Sequence, residues 1–472
     1  MLSEWLRVSL LRFLLFLQAA RSASSYVLIG YWGRNLAQNQ WRDESRHEPS
    51  LGSICATTLY THIHISSMKV HFDATGLPGL DLDLHCRWPT DKFPGYPDPP
   101  RGFNVLNCPK ELAQDIRDCQ KMGVKIILSI APMDMLTTEQ QAMKSAENIW
   151  NVFLGGSSKY RPFGISAILD GVDFQVRNND PRGDLYVPLI RRLRELMDAD
   201  TGRKYTIAGS TLCIYPDFLL GPYQTGAQAS RAPLDMVPEM FDILIPFFTS
   251  SPARCGWGGN QIGFWDTLKQ WVQFTSTFMN NSTQLVVGLP SWFVPEWANA
   301  AAGDYIAPND LWTSIAMETF RTEEIGKVFG GFALQDVSLD VLNWPCNNDP
   351  RVVYSTLLTQ QLTLPVSETG RGKADPTKLC ADAVTIKKHT LIPGLVTNSD
   401  KPVTAAAGQV GAVNATGSAS STAAATTTRT RRPASTMVFE DVYNTAQANK
   451  ITFLGVVFPI ILIAVVALLV NG

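Results

Sequence analysis

The sequence contains little charge, few histidines and no closely spaced cysteine pair. Charged residues make up 17% of its 472 residues, the net charge is −2, and histidine occurs only 6 times. Without a basic excess, nucleic acid is not an expected partner. With no Cys-x-x-Cys pair and so few histidines, we expect neither a metal centre nor any cofactor.

Hydrophobic residues and cysteines are present in numbers that indicate the class of protein. Hydrophobic residues make up 45% of the chain, which is enough for a large buried core and excludes wholesale disorder. The eight cysteines are an even number, and an even number in a secreted chain predicts disulfides.

Both ends of the chain carry targeting signals. Residues 1–24 combine the positive charge of Arg7, an apolar run over 13–20 and small residues after it, which predicts a cleaved secretory signal. Residues 453–470 form an uncharged apolar run with no Lys or Arg behind it. We therefore favour a glycolipid (GPI) attachment signal over 445–472, with attachment at Asn444, and keep a single membrane span as the alternative.

A low-complexity segment precedes this signal. Ala, Thr and Ser supply 22 of the 33 residues from 404 to 436, so the segment cannot build a core. We expect a disordered, O-glycosylated stalk over 404–444. Acceptor triplets for N-glycosylation begin at Asn280, Asn281 and Asn414. Together these features predict a monomeric, secreted glycoprotein on the extracellular face of the plasma membrane or in the cell wall.

Residues 25–362 alternate apolar, β-type runs with helical stretches. Strands are predicted at 26–31, 60–66, 125–130, 171–176, 205–210, 241–247, 284–289 and 331–334. Helices are predicted at 110–122, 142–154, 185–199, 265–279 and 312–322. Eight such units predict an α/β fold, a (β/α)₈ TIM barrel. A doubly wound open sheet is the alternative, although no GxGxxG motif follows the first strand.

Six short motifs occur along this region. They are YWGRN at 31–35, ILSI at 127–130, FLGG at 153–156, LDGVDF at 169–174, LCIYPD at 212–217 and GLP at 288–290. In this order they resemble the class III (plant and fungal type) chitinases of glycoside hydrolase family 18. The resemblance covers about residues 26–360 and implies a TIM barrel with its active site at the carboxyl ends of the strands.

The resemblance also implies a disulfide pattern. Its three pairs are Cys55–Cys119, Cys86–Cys108 and Cys213–Cys255. Subtraction then leaves Cys346 and Cys380 as a fourth pair. That pair would tie a post-barrel extension, residues 363–403, to the barrel.

The fourth predicted strand departs from the family at the positions of its catalytic acids. The family's DxxDxDxE pattern ends in an Asp that orients the substrate's N-acetyl group and a Glu that protonates the leaving oxygen. Here Asp170 and Asp173 are retained, while Gln175 and Arg177 stand at the last two positions. Asp173, Gln175 and Arg177 alternate along the strand and are expected to point into the barrel. An arginine cannot act as the acid, so we expect structural roles for both aspartates, with Asp173 paired to Arg177.

Other family positions have changed as well. The family has a Tyr whose hydroxyl binds the N-acetyl carbonyl, and Phe248 is assigned to that position. The family's Trp at the base of the sugar site corresponds to Gln335, and its glycine pair corresponds to Ala131 and Pro132. We therefore expect a non-catalytic, chitinase-like protein that binds an oligosaccharide or a glycoprotein. Loop tryptophans offer faces for sugar stacking, but we favour packing for most of them.

The alternative function is a chitinase or related glycosidase of low or altered activity. It would use another carboxylate at the barrel mouth, and the candidates are Asp134, Asp180, Glu296 and Asp336. Two of these converging across a cleft would favour the enzyme. Arg34 and Arg177 would instead suit an anionic ligand.

Overall fold

The computed structural model describes residues 26–98, 102–175, 183–217, 220–222, 232–248, 255–258, 261–292, 304–308, 310–311, 320, 322–346, 349–363 and 380–383. The proposed leader, stalk and anchor signal lie outside these residues, as do Asn414 and Asn444. Within the described part, no helix combines the length and the apolar character needed to cross a membrane.

Eight parallel strands close into a barrel. The strands are β1 Val27–Trp32, β2 His62–Val70, β3 Gly79–Leu80, β4 Lys125–Ile130, β5 Gly171–Phe174, β6 Thr206–Leu212, β7 Ile243–Phe247, β8 Gln284–Pro290 and β9 Phe329–Gln335. All except β3 pair in parallel around the ring, and β1 pairs with both β2 and β9. The closed barrel is confirmed, and the open sheet is wrong. β3 forms an antiparallel hairpin with β2, which the sequence analysis did not predict.

Helices follow the strands along the chain. They are α1 Leu36–Trp41, α2 Leu51–Thr57, α3 Lys110–Lys121, α4 Glu139–Phe153, α5 Tyr186–Ala199, α6 Pro233–Met236, α7 Gln261–Phe278, α8 Glu323–Gly326, α9 Val337–Asp340 and α10 Tyr354–Thr363. The helices predicted at 110–122, 142–154, 185–199 and 265–279 correspond to α3, α4, α5 and α7. Most of the helix predicted at 312–322 lies outside the described residues.

Two apolar layers follow from the alternation of side chains along the strands. One fills the barrel interior and contains Val27, Ile29, Tyr31, Ala208, Ile243, Ile245, Phe247, Val286 and Ala333. The other lies between strands and helices and includes Val172 and Phe174 of β5. Asp173 stands between these two residues and points to the opposite face, into the barrel.

The structure contains four disulfides, the same four pairs that the sequence analysis expected. The Cα–Cα distances are 5.5 Å for Cys55–Cys119, 5.1 Å for Cys86–Cys108, 6.0 Å for Cys213–Cys255 and 5.5 Å for Cys346–Cys380. All lie within the range that a disulfide spans. The last pair joins the chain beyond α9 to the helical residues 380–383, which fall in the range 363–403 predicted as a post-barrel extension.

The turn between α7 and β8 carries two of the predicted glycosylation sites. Asn280 and Asn281 are both exposed. The Asn280 side-chain oxygen accepts hydrogen bonds from the backbone N–H and the hydroxyl of Ser282, each 3.0 Å long. Because this turn precedes β8, a glycan here would lie at the end of the barrel opposite the carboxyl ends of the strands.

A buried arginine closes the carboxyl end of α4. The Arg161 guanidinium donates to the carbonyl oxygens of Asn151 at 2.7 Å, Gly156 at 3.0 Å and Leu154 at 2.6 Å. We expect Arg161→Ala to lower the free energy of unfolding by about 2–4 kcal/mol, because three carbonyls, that of Leu154 fully buried, lose a charged donor. Chemical denaturation measures this. The exposed Arg191, changed to Ala, is the control, and equal effects of the two changes would contradict the prediction.

Candidate ligand site at the barrel mouth

A buried carboxylate lies inside the barrel below its mouth, the carboxyl ends of the eight barrel strands. Asp173 of β5 has no exposed surface. One of its oxygens accepts hydrogen bonds from the Tyr31 hydroxyl at 2.9 Å, His64 Nδ1 at 3.1 Å and Gln175 Nε2 at 3.2 Å. The other accepts from the Ser210 hydroxyl at 2.7 Å. Four different strands or strand ends therefore converge on one carboxylate.

This convergence keeps Asp173 ionised. Burial on its own would raise the pKa of Asp173, but the electrostatic attraction of His64 and the hydrogen bonds from His64, Ser210 and Tyr31 outweigh it. The pKa therefore lies below its usual value. Burial, followed by the nearby charge of Asp173, raises the pKa of Tyr31 well above its ordinary value, so the phenol stays neutral and donates. Asp173 is an acceptor with no proton to give.

Gln175 occupies the position just beyond β5 where the family pattern has the Asp that orients the N-acetyl group of the substrate. Its side chain is 2% exposed, and its amide nitrogen donates to Asp173. A neutral amide cannot balance the positive charge that would develop on a sugar ring. Arg177 lies outside the described residues, as does its expected pairing with Asp173.

Asp170 lies at the opposite end of β5, away from the mouth. It accepts hydrogen bonds from the backbone N–H of Ile126 and the side chain of Gln120, both 2.9 Å long, and lies 3.4 Å from Arg203. These contacts join neighbouring strands and α3. The structural role expected for Asp170 agrees with them.

The expectation for Phe248 is wrong, because this side chain does not line the mouth. Phe248 packs against Phe264 of α7, with ring centroids 4.5 Å apart, in the layer between strands and helices. Phe247 points into the barrel, 5.4 Å from the ring of Tyr31. In the family's Gln-Phe-Tyr run the Gln and the Tyr share the inner face. Phe248 therefore matches the central Phe, and the hydroxyl position falls on Thr249, outside the described residues.

Gln335 lies at the mouth, as expected. It ends β9, is 6% exposed and continues the inward-facing series of Ala333. Its backbone oxygen accepts a hydrogen bond from the N–H of Ser291 at 3.1 Å, which links the ends of β8 and β9. The change to Gln335 leaves no aromatic floor at this strand end.

Asp134, a candidate acid of the alternative function, is engaged with backbone. It accepts hydrogen bonds from the N–H groups of His71 at 2.8 Å and Phe72 at 3.2 Å. Burial raises its pKa. The carboxylate thereby fixes the loop after β4, where Ala131 also bonds back to β2 through its N–H.

Asp336, a second candidate, caps a helix. It is fully buried and accepts from the hydroxyl of Ser338 at 2.7 Å and the N–H of Leu339 at 3.2 Å at the start of α9. It also accepts from the N–H of Leu36 in α1 at 3.3 Å. Burial raises the pKa of Asp336 to about 7. The other two candidates, Asp180 and Glu296, lie outside the described residues.

Glu48 is a carboxyl group at the mouth that the sequence analysis missed. Glu48 is fully buried and accepts from the N–H of Gly33 at 2.8 Å and from His85 Nε2 at 3.0 Å. Burial raises its pKa to about 8. Glu48 lies in a loop of mixed charge without a motif, and its partners are 15 and 37 residues away, so no local signal reveals it. Among residues 26–383, where the structure describes them, no cluster of His, Cys, Asp and Glu is placed to hold a metal ion.

The fold is a TIM barrel, and these polar groups lie at the carboxyl ends of its strands, where proteins of this fold have their functional sites. No family model matches the chain. The basic endochitinase of Nicotiana tabacum is 30% identical over 333 residues, which cover 70% of this chain and 92% of that protein. The chain therefore belongs to the plant- and fungal-type family of chitinases and chitinase-like proteins within glycoside hydrolase family 18.

Two further comparisons show how far the similarity extends. A chitinase-like protein of Schizosaccharomyces pombe is 30% identical over 343 residues, which span 70% of this chain but only 24% of that protein. The crystal structure of the ICChI chitinase from Ipomoea carnea is 25% identical. The matched region covers 67% of this chain and 96% of the Ipomoea chitinase chain, with a TM-score of 0.49.

Proposed function

We propose that the protein is a catalytically inactive, chitinase-like glycoprotein of the cell surface that binds an oligosaccharide or a glycoprotein. The observation that carries the proposal is the state of Asp173. Its carboxylate accepts four hydrogen bonds, one of them from the amide of Gln175. The Asp173 carboxylate has no acidic neighbour with which to share a proton, because the side chain at position 175 is an amide. Loss of a positioned acid alone costs roughly 10²–10⁴-fold in rate.

Three further carboxyl groups in the loops after the strands support the same proposal. Asp134 holds two backbone N–H groups, Asp336 caps α9, and Glu48 holds Gly33 and His85. Each is engaged in fixing the fold of a loop. A general acid has to reach the leaving oxygen of the substrate. Glu48 and Asp336 are fully buried and have no surface with which to do so, whereas Asp134 is partly exposed but engaged by two backbone N–H groups.

The glycosidase of altered mechanism remains the second candidate because of one observation. Raised pKa values of about 8 for Glu48 and about 7 for Asp336 would suit general acids near neutral pH. Both side chains are fully buried, however, so substrate contact would require the loops after β1 and β9 to open. The inactive protein is the better supported of the two functions.

The rim of the mouth supports a saccharide as the ligand. Trp41 and Trp292 are half-buried, and their ring centroids lie 5.5 Å apart. The Arg46 guanidinium lies 4.3 Å from the centre of the Trp41 ring. Partly exposed indoles with a neighbouring polar group suit the apolar faces and hydroxyls of a sugar ring.

The decisive experiment combines two assays on the full secreted chain. A glycan array and a hydrolysis assay on N-acetylglucosamine oligomers are run side by side, with the tobacco basic endochitinase as the active control. We expect glycan binding without turnover. Turnover that survives Arg177→Ala would overturn the inactive protein in favour of the second candidate. Binding to none of the arrayed glycans would contradict the oligosaccharide ligand and favour the glycoprotein.

We also propose that a lipid anchor holds the protein on the cell. The uncharged run at 453–470 and the small residues around Asn444 support this. Phosphatidylinositol-specific phospholipase is expected to release most of the protein from intact cells into detergent-free buffer. Retention after complete treatment would point to a membrane span, and Asn444→Gln, which removes the small attachment residue, is the control variant.

A further inference from the structure

Arg34 stands at the mouth directly behind β1, in a turn of fixed shape. Gly33 and Asn35 on either side of it have φ angles of 103° and 50°, both in the left-handed region. The N–H of Gly33 donates to Glu48, and the side chain of Asn35 accepts from the N–H of Glu48 at 2.8 Å. This turn holds the Arg34 backbone in one position.

The Arg34 guanidinium has unused hydrogen-bonding capacity. In the part of the chain that the structure describes, none of its five N–H donors has an acceptor, and no carboxylate oxygen lies at ion-pair distance. Burial lowers its pKa, although part of the side chain stays exposed. Arg34 is therefore largely withdrawn from water, while the residue keeps part of its surface exposed.

Three carboxyl groups act on Arg34 electrostatically without forming an ion pair with it. They are Asp336, Asp81 and Glu48, with the phenol of Tyr31 beside them. Glu48, with a pKa of about 8, is mostly protonated near neutral pH, and Asp336, with a pKa of about 7, is partly so. Both already accept hydrogen bonds from backbone N–H groups. Asp81 accepts from the N–H of Asp83 at 3.1 Å.

We propose that Arg34 binds the carboxylate of an acidic saccharide at the barrel mouth. This rests on the proposed function, since it requires that the mouth bind a glycan. A guanidinium and a carboxylate form two parallel hydrogen bonds, a geometry that a neutral N-acetylglucosamine unit cannot offer. A uronic acid and a sialic acid supply the same carboxylate chemistry. The ligand is therefore acidic, unlike the uncharged oligomers that chitinases cleave.

The surroundings of Arg34 give this binding a pH dependence. As pH falls from about 8.5 to about 6, Glu48 and Asp336 take up protons and lose the negative charge that opposes an incoming anion. His85, which donates to Glu48, has a pKa lowered by burial to about 4 and does not titrate in this range. The carboxylate of the sugar stays ionised throughout. Binding of the acidic saccharide should therefore tighten as pH falls.

The test measures binding by the full secreted chain to three probes: an oligogalacturonide, sialyllactose, and chitotetraose as the neutral reference. We expect one of the two acidic probes to bind at least about tenfold tighter than chitotetraose, and more tightly at about pH 6 than at about pH 8.5. The responding probe identifies the kind of acid. Arg34→Gln should weaken that probe at least about tenfold, and by a clearly larger factor than it weakens chitotetraose. Arg42→Gln, which removes an exposed charge at the far end of α1, is the matched control.

The outcomes separate this site from the function on which it rests. Binding to chitotetraose but to neither acidic probe would overturn the Arg34 site and leave the proposed function standing, whereas binding to no glycan would overturn both. Equal losses in Arg34→Gln and Arg42→Gln would overturn the site in favour of unspecific charge attraction. If Arg34→Gln does not fold, Arg34→Lys decides the matter. The lysine keeps the positive charge but lacks the planar guanidinium, which forms two parallel hydrogen bonds. The Arg34→Lys variant should therefore bind the acidic probe several-fold more weakly than the wild type, and unchanged binding would contradict the proposal.

Discussion

Changing Gln175 to Asp and Arg177 to Glu together is expected to leave hydrolysis of chitin oligomers at background. The double change restores the two acids of the family pattern, but neither the aromatic floor lost at Gln335 nor the hydroxyl position at Thr249. Catalytic groups that act as a unit are strongly non-additive, so a partial set gives almost none of the rate. We expect the double variant to remain at least about 10⁴-fold slower than the tobacco enzyme.

Measurable turnover should require the quadruple variant that adds Thr249→Tyr and Gln335→Trp. The matched control replaces Thr249→Tyr by Phe248→Tyr. Since Phe248 packs against Phe264 in the outer layer, its new hydroxyl cannot reach a substrate, and the control should stay inactive. Rescue by the Phe248 variant would show that this side chain faces the mouth after all. Full activity in the double variant would show that the acids alone had been lost.

Asp173→Asn should destabilise the barrel strongly, by about 3–5 kcal/mol of unfolding free energy. The substitution keeps the volume of the side chain but removes its charge. It also replaces one accepting oxygen by an NH₂ group, which can only donate. That group would face side chains that themselves donate, namely those of Tyr31, His64, Ser210 and Gln175. Chemical denaturation of the full secreted chain measures the change. Asp266→Asn, on the exposed face of α7, is the control and should change stability by less than about 0.5 kcal/mol.

The same pair of variants gives a pH test with a definite sign. The folded-state pKa of Asp173 lies below the unfolded value of about 3.9. Its stabilising contribution is therefore complete above about pH 4 and is lost as pH falls further, through the folded-state pKa. The stability difference between wild type and Asp173→Asn should be constant from neutrality to about pH 5 and shrink in more acidic solution. A difference that grows on acidification would contradict the ionised state of Asp173.

Alternation along the strands explains both the success and the failure of the sequence analysis at the site. The inward direction of Asp173 and Gln175 follows from the pattern of β5, where Val172 and Phe174 fill the outer layer. The same rule applied to 243–248 would have placed Phe247, not Phe248, inside. A shift of one residue in matching a motif moves a side chain to the other face of the sheet.

Other features of the site depend on contacts between residues far apart in the chain. His64 meets Asp173 across 109 residues, and Glu48 meets His85 across 37. Neither pair lies in a motif, and the buried state that shifts the pKa of Glu48 exists only once the loops after β1 and β3 have packed. The barrel could be predicted because its pattern recurs eight times, whereas each of these pairs occurs once.

The hydrogen-bond network of Asp173 has a consequence for how this lineage can change. Gln175 and His64 each stabilise the carboxylate, and an acid at position 175 would bring a second carboxyl group against it in a site without solvent. A return to an acid at position 175 would lower the stability of the barrel before it could restore catalytic activity. Single substitutions of this kind should therefore be disfavoured. Among descendants of this gene, His64 and Gln175 should therefore be kept or replaced together. A lineage that regains an acid at position 175 should also have exchanged its histidine at position 64.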